Sequence, residues 1–282
     1  MKKILGDYIN LTASDSFEFP AYVATPLEPA RAAVVILQEM DQRFHGESSH
    51  VGGRPARLKQ ERFKIGAPWR AIAEKFAARG YLAVVPSTYN RGFYGVDFSY
   101  RHEFNGSSRG WHLVRPVEPM PTDKVMLDVQ AAIEHAQLNT LTGAVGLLGY
   151  CWGGLLAWRA ACELEGITAA VSYYGGGMTL PQDAKRQAKC PVMAHFPRDR
   201  RWISEITVGL FVAQQPAVES YVYDARYGFD VARRQAFDAA SSHLAGERTL
   251  AFLSEHLLSP PTYDADMMAA LPSAAAAQLS AD

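Results

Sequence analysis

The segment AVGLLGYCWGGLLAWRAACEL, residues 144–164, decides how this chain is read. An apolar run ends at Gly149, and a second apolar stretch starts at Leu155. Between them lies Gly149-Tyr150-Cys151-Trp152-Gly153, a G-x-nucleophile-x-G elbow with cysteine at its centre. A turn from strand to helix this sharp leaves no room for side chains beside the nucleophile, hence the glycines. It also puts the thiol at a helix N-terminus, where free N–H groups and the helix dipole favour a thiolate and an oxyanion. The plainer alternative is a buried cysteine in a glycine turn. Cys162, inside the helix, and Cys190, before Pro191, read as core or spacer residues.

Outward from this segment the same unit recurs. Strand-like runs cover 17–26, 32–38, 81–86, 144–150, 167–174, 191–196 and 218–223, and helix-like segments cover 68–79, 122–138, 154–164, 203–214 and 241–257. Runs apolar throughout predict strands buried on both faces, and their alternation with helices predicts a mostly parallel, doubly wound α/β sheet. Pro68 and Pro121 near helix starts and Gly80 after a helix end support the boundaries. The chain has 282 residues, within reach of one hydrophobic core, and residues 1–258 are read as a single domain. Residues 41–67 form an insertion after the strand ending at Glu39, with six basic residues against three acidic ones. Residues 90–120 form a second long connection rich in aromatics, Gly, Arg and His. Long loops at strand ends are where binding sites collect. Residues 259–282 read as a C-terminal tail, partly disordered or a short docked helix.

Composition narrows the function classes. Hydrophobic residues are 48% and charged residues 20%, which suits a packed core. The formal net charge of −1 supplies no overall field for nucleic acid. No run of apolar residues is long enough to span a membrane. The start, MKKILGDYINL, makes a poor signal peptide, and three cysteines make no disulfide framework, so a reducing cytoplasm is expected. There is no phosphate loop and no dinucleotide fingerprint. His45 and His50 with Glu47 lack a third ligand of clear spacing. No cofactor and no metal are expected. The expected partner is a small-molecule substrate, and the chain is expected to be a monomer or homodimer.

The elbow and its flanks resemble the dienelactone hydrolase family of the α/β-hydrolases, which open lactones with a cysteine nucleophile. The likeness rests on GYCWGG (149–154), VVILQE (34–39), PSTYNRG (86–92), LDVQAAIEHA (127–136), SYYGGG (172–177), PVMAHF (191–196) and LAGERTLAFLSEHL (244–257). It implies an α/β-hydrolase fold over roughly residues 15–258. It makes Cys151 the nucleophile, and Glu39 the carboxylate that contacts the thiol and helps generate the thiolate. It gives the oxyanion hole to the N–H groups of Met40 and Trp152. Arg91, after Tyr89-Asn90, matches an arginine that holds a substrate carboxylate, a role its planar fork suits.

Two members of the family's triad are replaced. The aspartate position is Arg200, with Asp199 one residue early, and the histidine position is Tyr227, before Gly228-Phe229. No His stands between His195 and His243. An arginine that follows the histidine in the family has Val231 in its place, though Arg233 and Arg234 are close. A phenol is a poor base unless a cation lowers its pKa, and Arg200 or Arg226 are candidates for that cation. The loop histidines His45, His50, His102 and His112 are further candidate bases; His135, His195, His243 and His256 read as packing or surface residues. Trp69, Tyr94, Phe98, Tyr100, Phe104 and Trp111 are candidates to line a pocket, and Arg91, Arg101, Arg109 and Arg115 favour an anionic substrate. Three readings follow: a hydrolase of small lactones or esters with a Cys/Tyr/Arg site; a non-hydrolytic enzyme (isomerase, cyclase or C–C bond chemistry) using Tyr227 and Arg200; or an inactive ligand-binding homologue.

Overall fold

A computed structural model describes residues 4–39, 65–88, 91, 122–199, 203–232 and 234–258. The predicted insertion up to residue 64, nearly all of the second long connection and the tail lie outside the described residues. Eight strands form one sheet: β1 (Leu5–Thr12), β2 (Glu18–Thr25), β3 (Ala32–Leu37), β4 (Leu82–Pro86), β5 (Ala144–Tyr150), β6 (Ala169–Tyr173), β7 (Val192–Pro197) and β8 (Glu219–Tyr223). The order is β1-β2-β4-β3-β5-β6-β7-β8, with β1–β2 and β2–β4 antiparallel and every other pair parallel. Among the described residues six helices accompany it: α1 (Ala67–Ala77), α2 (Thr122–Leu138), α3 (Trp152–Glu163), α4 (Pro181–Ala184), α5 (Glu205–Gln214) and α6 (Ala239–Leu258).

The sequence pattern explains this layout. In β3, AAVVIL, every residue is buried, because helices cover both faces of the sheet. One of those helices, α6, packs so tightly that a Cβ on Gly146 would lie 2.9 Å from Leu253 and Leu257 side-chain carbons. The strand the pattern missed is β1, LGDYINLT. It is an edge strand with most of its residues solvent-exposed, so it carries almost no hydrophobic periodicity.

The topology sets where chemistry can occur. Chain order reverses between β3 and β5, and their register pairs Leu37 with Gly149. Glu39 and Cys151 each follow two residues later, so they leave the carboxyl edge side by side at a switch point. The loops after β6, β7 and β8 leave the same edge and bring Tyr174, Asp199 and Tyr227.

His195 is a core residue of β7. It is fully buried, with Nδ1 2.8 Å from Tyr223 Oη and Nε2 3.0 Å from Thr249 Oγ1. Burial, with Arg248 adding to it, lowers its pKa from 6.5 to about 3. Between those values the unfolded chain binds a proton that the native state refuses. The contribution of His195 to stability is therefore complete above pH 6.5 and is lost as pH falls toward 3. His195→Gln is expected to flatten the acid limb of a plot of urea midpoint against pH. An acid limb as steep as that of the wild type would refute this.

Candidate active site

Cys151 occupies the N-cap of α3 with φ 54° and ψ −114°. That left-handed geometry is costly for a residue with a side chain, so the surroundings must hold it. The Cys151 N–H donates to Tyr173 O at 2.9 Å, and the Cys151 carbonyl accepts from Gly176 N at 3.0 Å and Leu155 N at 3.1 Å. The glycines are there for space. A Cβ on Gly149 would lie 2.0 Å from Gly153 O, and one on Gly153 would lie 2.1 Å from Leu37 O. The first turn of α3 thus packs backbone against backbone on the end of β3, and this closeness brings Glu39 to the thiol.

Around the sulfur the structure assembles Tyr227, Glu39, Arg234 and the Trp152 amide. Tyr227 Oη and the Trp152 N–H both donate toward Sγ and stabilise a thiolate, as does the Arg234 cation. Burial outweighs them, and together with the Glu39 carboxylate it pushes the Cys151 thiol up. Tyr227 is likewise pushed well above the ordinary phenol range, first by burial and then by the negative charge of Cys151. At neutral pH the resting pair is a thiol and a phenol, and Tyr227 acts as a donor.

The cation beside this pair is Arg234. Its Nη2 lies 2.6 Å from Glu39 Oε1. Although burial disfavours its charge, Glu39 and neighbouring groups hold its pKa above the usual value. Arg226, considered from the sequence for this position, instead donates from Nη2 to Gln235 O at 2.7 Å and closes a surface loop. The turn at Gly228 (φ 78°) curls the loop so that Arg234 packs against it and reaches Glu39. Sequence spacing did not disclose Asp230 or Tyr174. Tyr174 Oη donates to Asp230 Oδ1 at 2.6 Å, and the Tyr174 ring packs on Tyr227 with centroids 4.8 Å apart.

The remaining expected residues fall as follows. Asp199, one residue before Arg200, accepts the Tyr227 backbone N–H at Oδ2, 3.0 Å away. Arg91 is committed elsewhere. It holds Asp128 through Nε and Nη2 and Asp15 through Nη1 and Nη2, and it lies 4.2 Å over the Phe17 ring. Asp15 is held near 2 by this pairing. The guanidinium that the resemblance assigns to a substrate carboxylate is held here by two carboxylates of the chain itself. Trp69 is buried in α1 with its ring 5.4 Å from Tyr150. His243 pairs with Glu247 on the surface of α6, and His256 packs on Phe252. Met40, Tyr89, Arg200 and Arg233 lie outside the described residues, as do the four loop histidines and the aromatic residues 94–111. Among the described residues, no cluster of three His, Cys, Asp or Glu side chains is arranged to hold a metal.

A sequence profile of the dienelactone hydrolase family matches residues 62–257. The chain belongs to the dienelactone hydrolase family. A carboxymethylenebutenolidase of Pseudomonas putida is 25% identical over 258 residues, spanning 89% of this chain and 97% of the relative. One from Pseudomonas sp. strain P51 is 26% identical over 201 residues, 70% of this chain and 82% of the relative. A crystal structure from Klebsiella pneumoniae, of a protein assigned to the dienelactone hydrolases, superposes with a TM-score of 0.70. It shares 22% identity and covers 90% of this chain and 99% of its own. That likeness shows the fold.

Proposed function

We propose that this dienelactone hydrolase family member hydrolyses a small, anionic lactone or ester through Cys151. The observation carrying this reading is the thiol itself, held left-handed at a helix N-terminus with the Glu39–Arg234 pair beside it. A substrate carboxylate competes for Arg234 and releases Glu39, which then takes the thiol proton. Cys151 Sγ attacks the carbonyl carbon, and the developing oxyanion meets the Trp152 N–H, with the Met40 N–H as the second donor implied by family resemblance. Collapse forms a thioester and breaks the C–O bond, and the departing alkoxide takes the proton from Glu39. A water deprotonated by Glu39 then hydrolyses the thioester, releasing the carboxylic acid and returning the thiol. Tyr227, held as a phenol, steadies the sulfur by donation and is not the base. Arg200 remains a candidate second cation of the Cys/Tyr/Arg site.

The setting is a cytoplasmic enzyme of small molecules. The three cysteines are unpaired, and no described helix is long and apolar enough to cross a membrane.

The test is intact-protein mass spectrometry during turnover of an activated aryl ester and a panel of small lactones. An acyl adduct that maps to Cys151 and is missing in Cys151→Ala is expected. Turnover with no adduct, unaffected by Cys151→Ala but abolished by Tyr227→Phe, would overturn the cysteine mechanism and transfer the reading to chemistry centred on Tyr227.

A further inference from the structure

The loop 226–235 folds largely upon itself. Val231 N donates to Gly228 O at 3.2 Å, Arg234 N donates to Val231 O at 2.9 Å, and Arg226 closes it on Gln235. Because it carries both Tyr227 and Arg234, its docking decides what faces the thiol. Asp199 holds one end through the Tyr227 amide. The middle is held by a half-buried carboxylate that the hydrolytic reading does not use: Asp230, which accepts the Tyr174 hydroxyl at 2.6 Å. Tyr174 is an unusual anchor. It has a positive φ of 39°, and its N–H donates to His195 O at 2.7 Å. It lies two residues before Gly176, whose N–H supports the Cys151 carbonyl. The strained elbow and the loop above it therefore meet at Tyr174.

We propose, on the hydrolytic reading above, that Asp230 is a positioning residue: by accepting the Tyr174 hydroxyl it docks the 226–235 loop and sets Tyr227 and Arg234 against Cys151 and Glu39. The charged and titratable groups facing the sulfur are Tyr227, Glu39 and Arg234. Those facing Asp230 are Tyr150 from β5, Tyr173 and Tyr174 from β6 and its loop, and Arg234 from its own loop. Burial pushes the Asp230 carboxyl up to about 6, against the hydrogen bond from Tyr174 and the Arg234 charge. A hydrogen bond from a phenol survives either protonation state of its acceptor, so the latch holds across neutral pH.

Tyr174→Phe removes one oxygen and leaves the ring packing in place. With the latch released, Tyr227 and Arg234 drift from the sulfur, and the thiolate loses two stabilising partners. Iodoacetamide alkylation of Cys151 followed against pH reads this without any substrate. The midpoint is expected to rise by about half a unit or more, and kcat on the best ester to fall about three- to tenfold, with KM rising for anionic substrates as Arg234 leaves the site. Asp230→Ala is expected to lose kcat similarly, and Asp230→Asn, which keeps an oxygen acceptor, to recover most of it. An unshifted alkylation midpoint in Tyr174→Phe overturns the proposal, as does an Asp230→Asn no better than Asp230→Ala. If Asp230→Ala does not fold, Tyr174→Phe alone decides. The alkylation arm stands apart from turnover, so a failed hydrolase reading and a failed latch give different results.

Discussion

Cys151→Ala is expected to lower kcat/KM for small lactones by about a thousandfold or more, measured as acid release in parallel with the wild type. The thiol is the one strong nucleophile at the elbow. The surrounding donors stabilise the thiolate before attack and the oxyanion after it, so without the sulfur they have nothing to act on. The variant should remain folded, because alanine keeps the Cβ that the φ of 54° already tolerates and loses only the sulfur. Cys151→Ser is expected to fall almost as far. A serine hydroxyl is far harder to ionise than a thiol, and the side chain bonded to this sulfur is a phenol pushed up by burial, not an imidazole. Residual activity above about a tenth of wild type in Cys151→Ala would remove the cysteine from the mechanism.

The largest effect on stability is expected at Gly153. A methyl there would sit 2.1 Å from Leu37 O and 2.6 Å from Gln38 O, both main-chain atoms of the β3 end. Neither can rotate away, so α3 must retreat from the sheet by about an ångström. Overpacking of this kind costs about 3 kcal/mol or more. The same retreat separates Glu39 from the thiol, so stability and activity should fall together. Gly246→Ala is the control. It lies in α6 with nothing within 4 Å of the added methyl, and is expected to stabilise by about 0.5–1 kcal/mol. Urea unfolding of both variants checks the pair. A Gly153→Ala protein within about 1 kcal/mol of wild type would mean that the elbow is looser than its distances indicate.

The fold was largely legible because its signals are local. Strands such as AAVVIL announce burial on both faces, and the glycines of 149–154 announce a turn that only one packing satisfies. The edge strand β1 was not legible, since its exposed residues carry no period. The site was legible where a residue ends a strand: Glu39 and Cys151 follow paired positions of β3 and β5. It was not legible where a loop doubles back. Arg234 meets Glu39 across 195 residues of sequence, and Asp230 meets Tyr174 across 56. Those meetings depend on the turn at Gly228, which spacing from Tyr227 alone cannot convey. The partners that hold Arg91, Asp15 and Asp128, were not legible around it, because they belong to a hairpin turn and a helix far away in the chain.

The carboxylate of Asp199 grips the main chain of residue 227. Position 227 is thereby a socket: one anchor of the loop is set by the backbone and not by the group plugged into it. Such an arrangement lets a lineage exchange one reactive group for another in a single substitution, without rebuilding the architecture that presents it. Chemical identity and structural integrity are written at adjacent but separate addresses, and the first can change while the second stands.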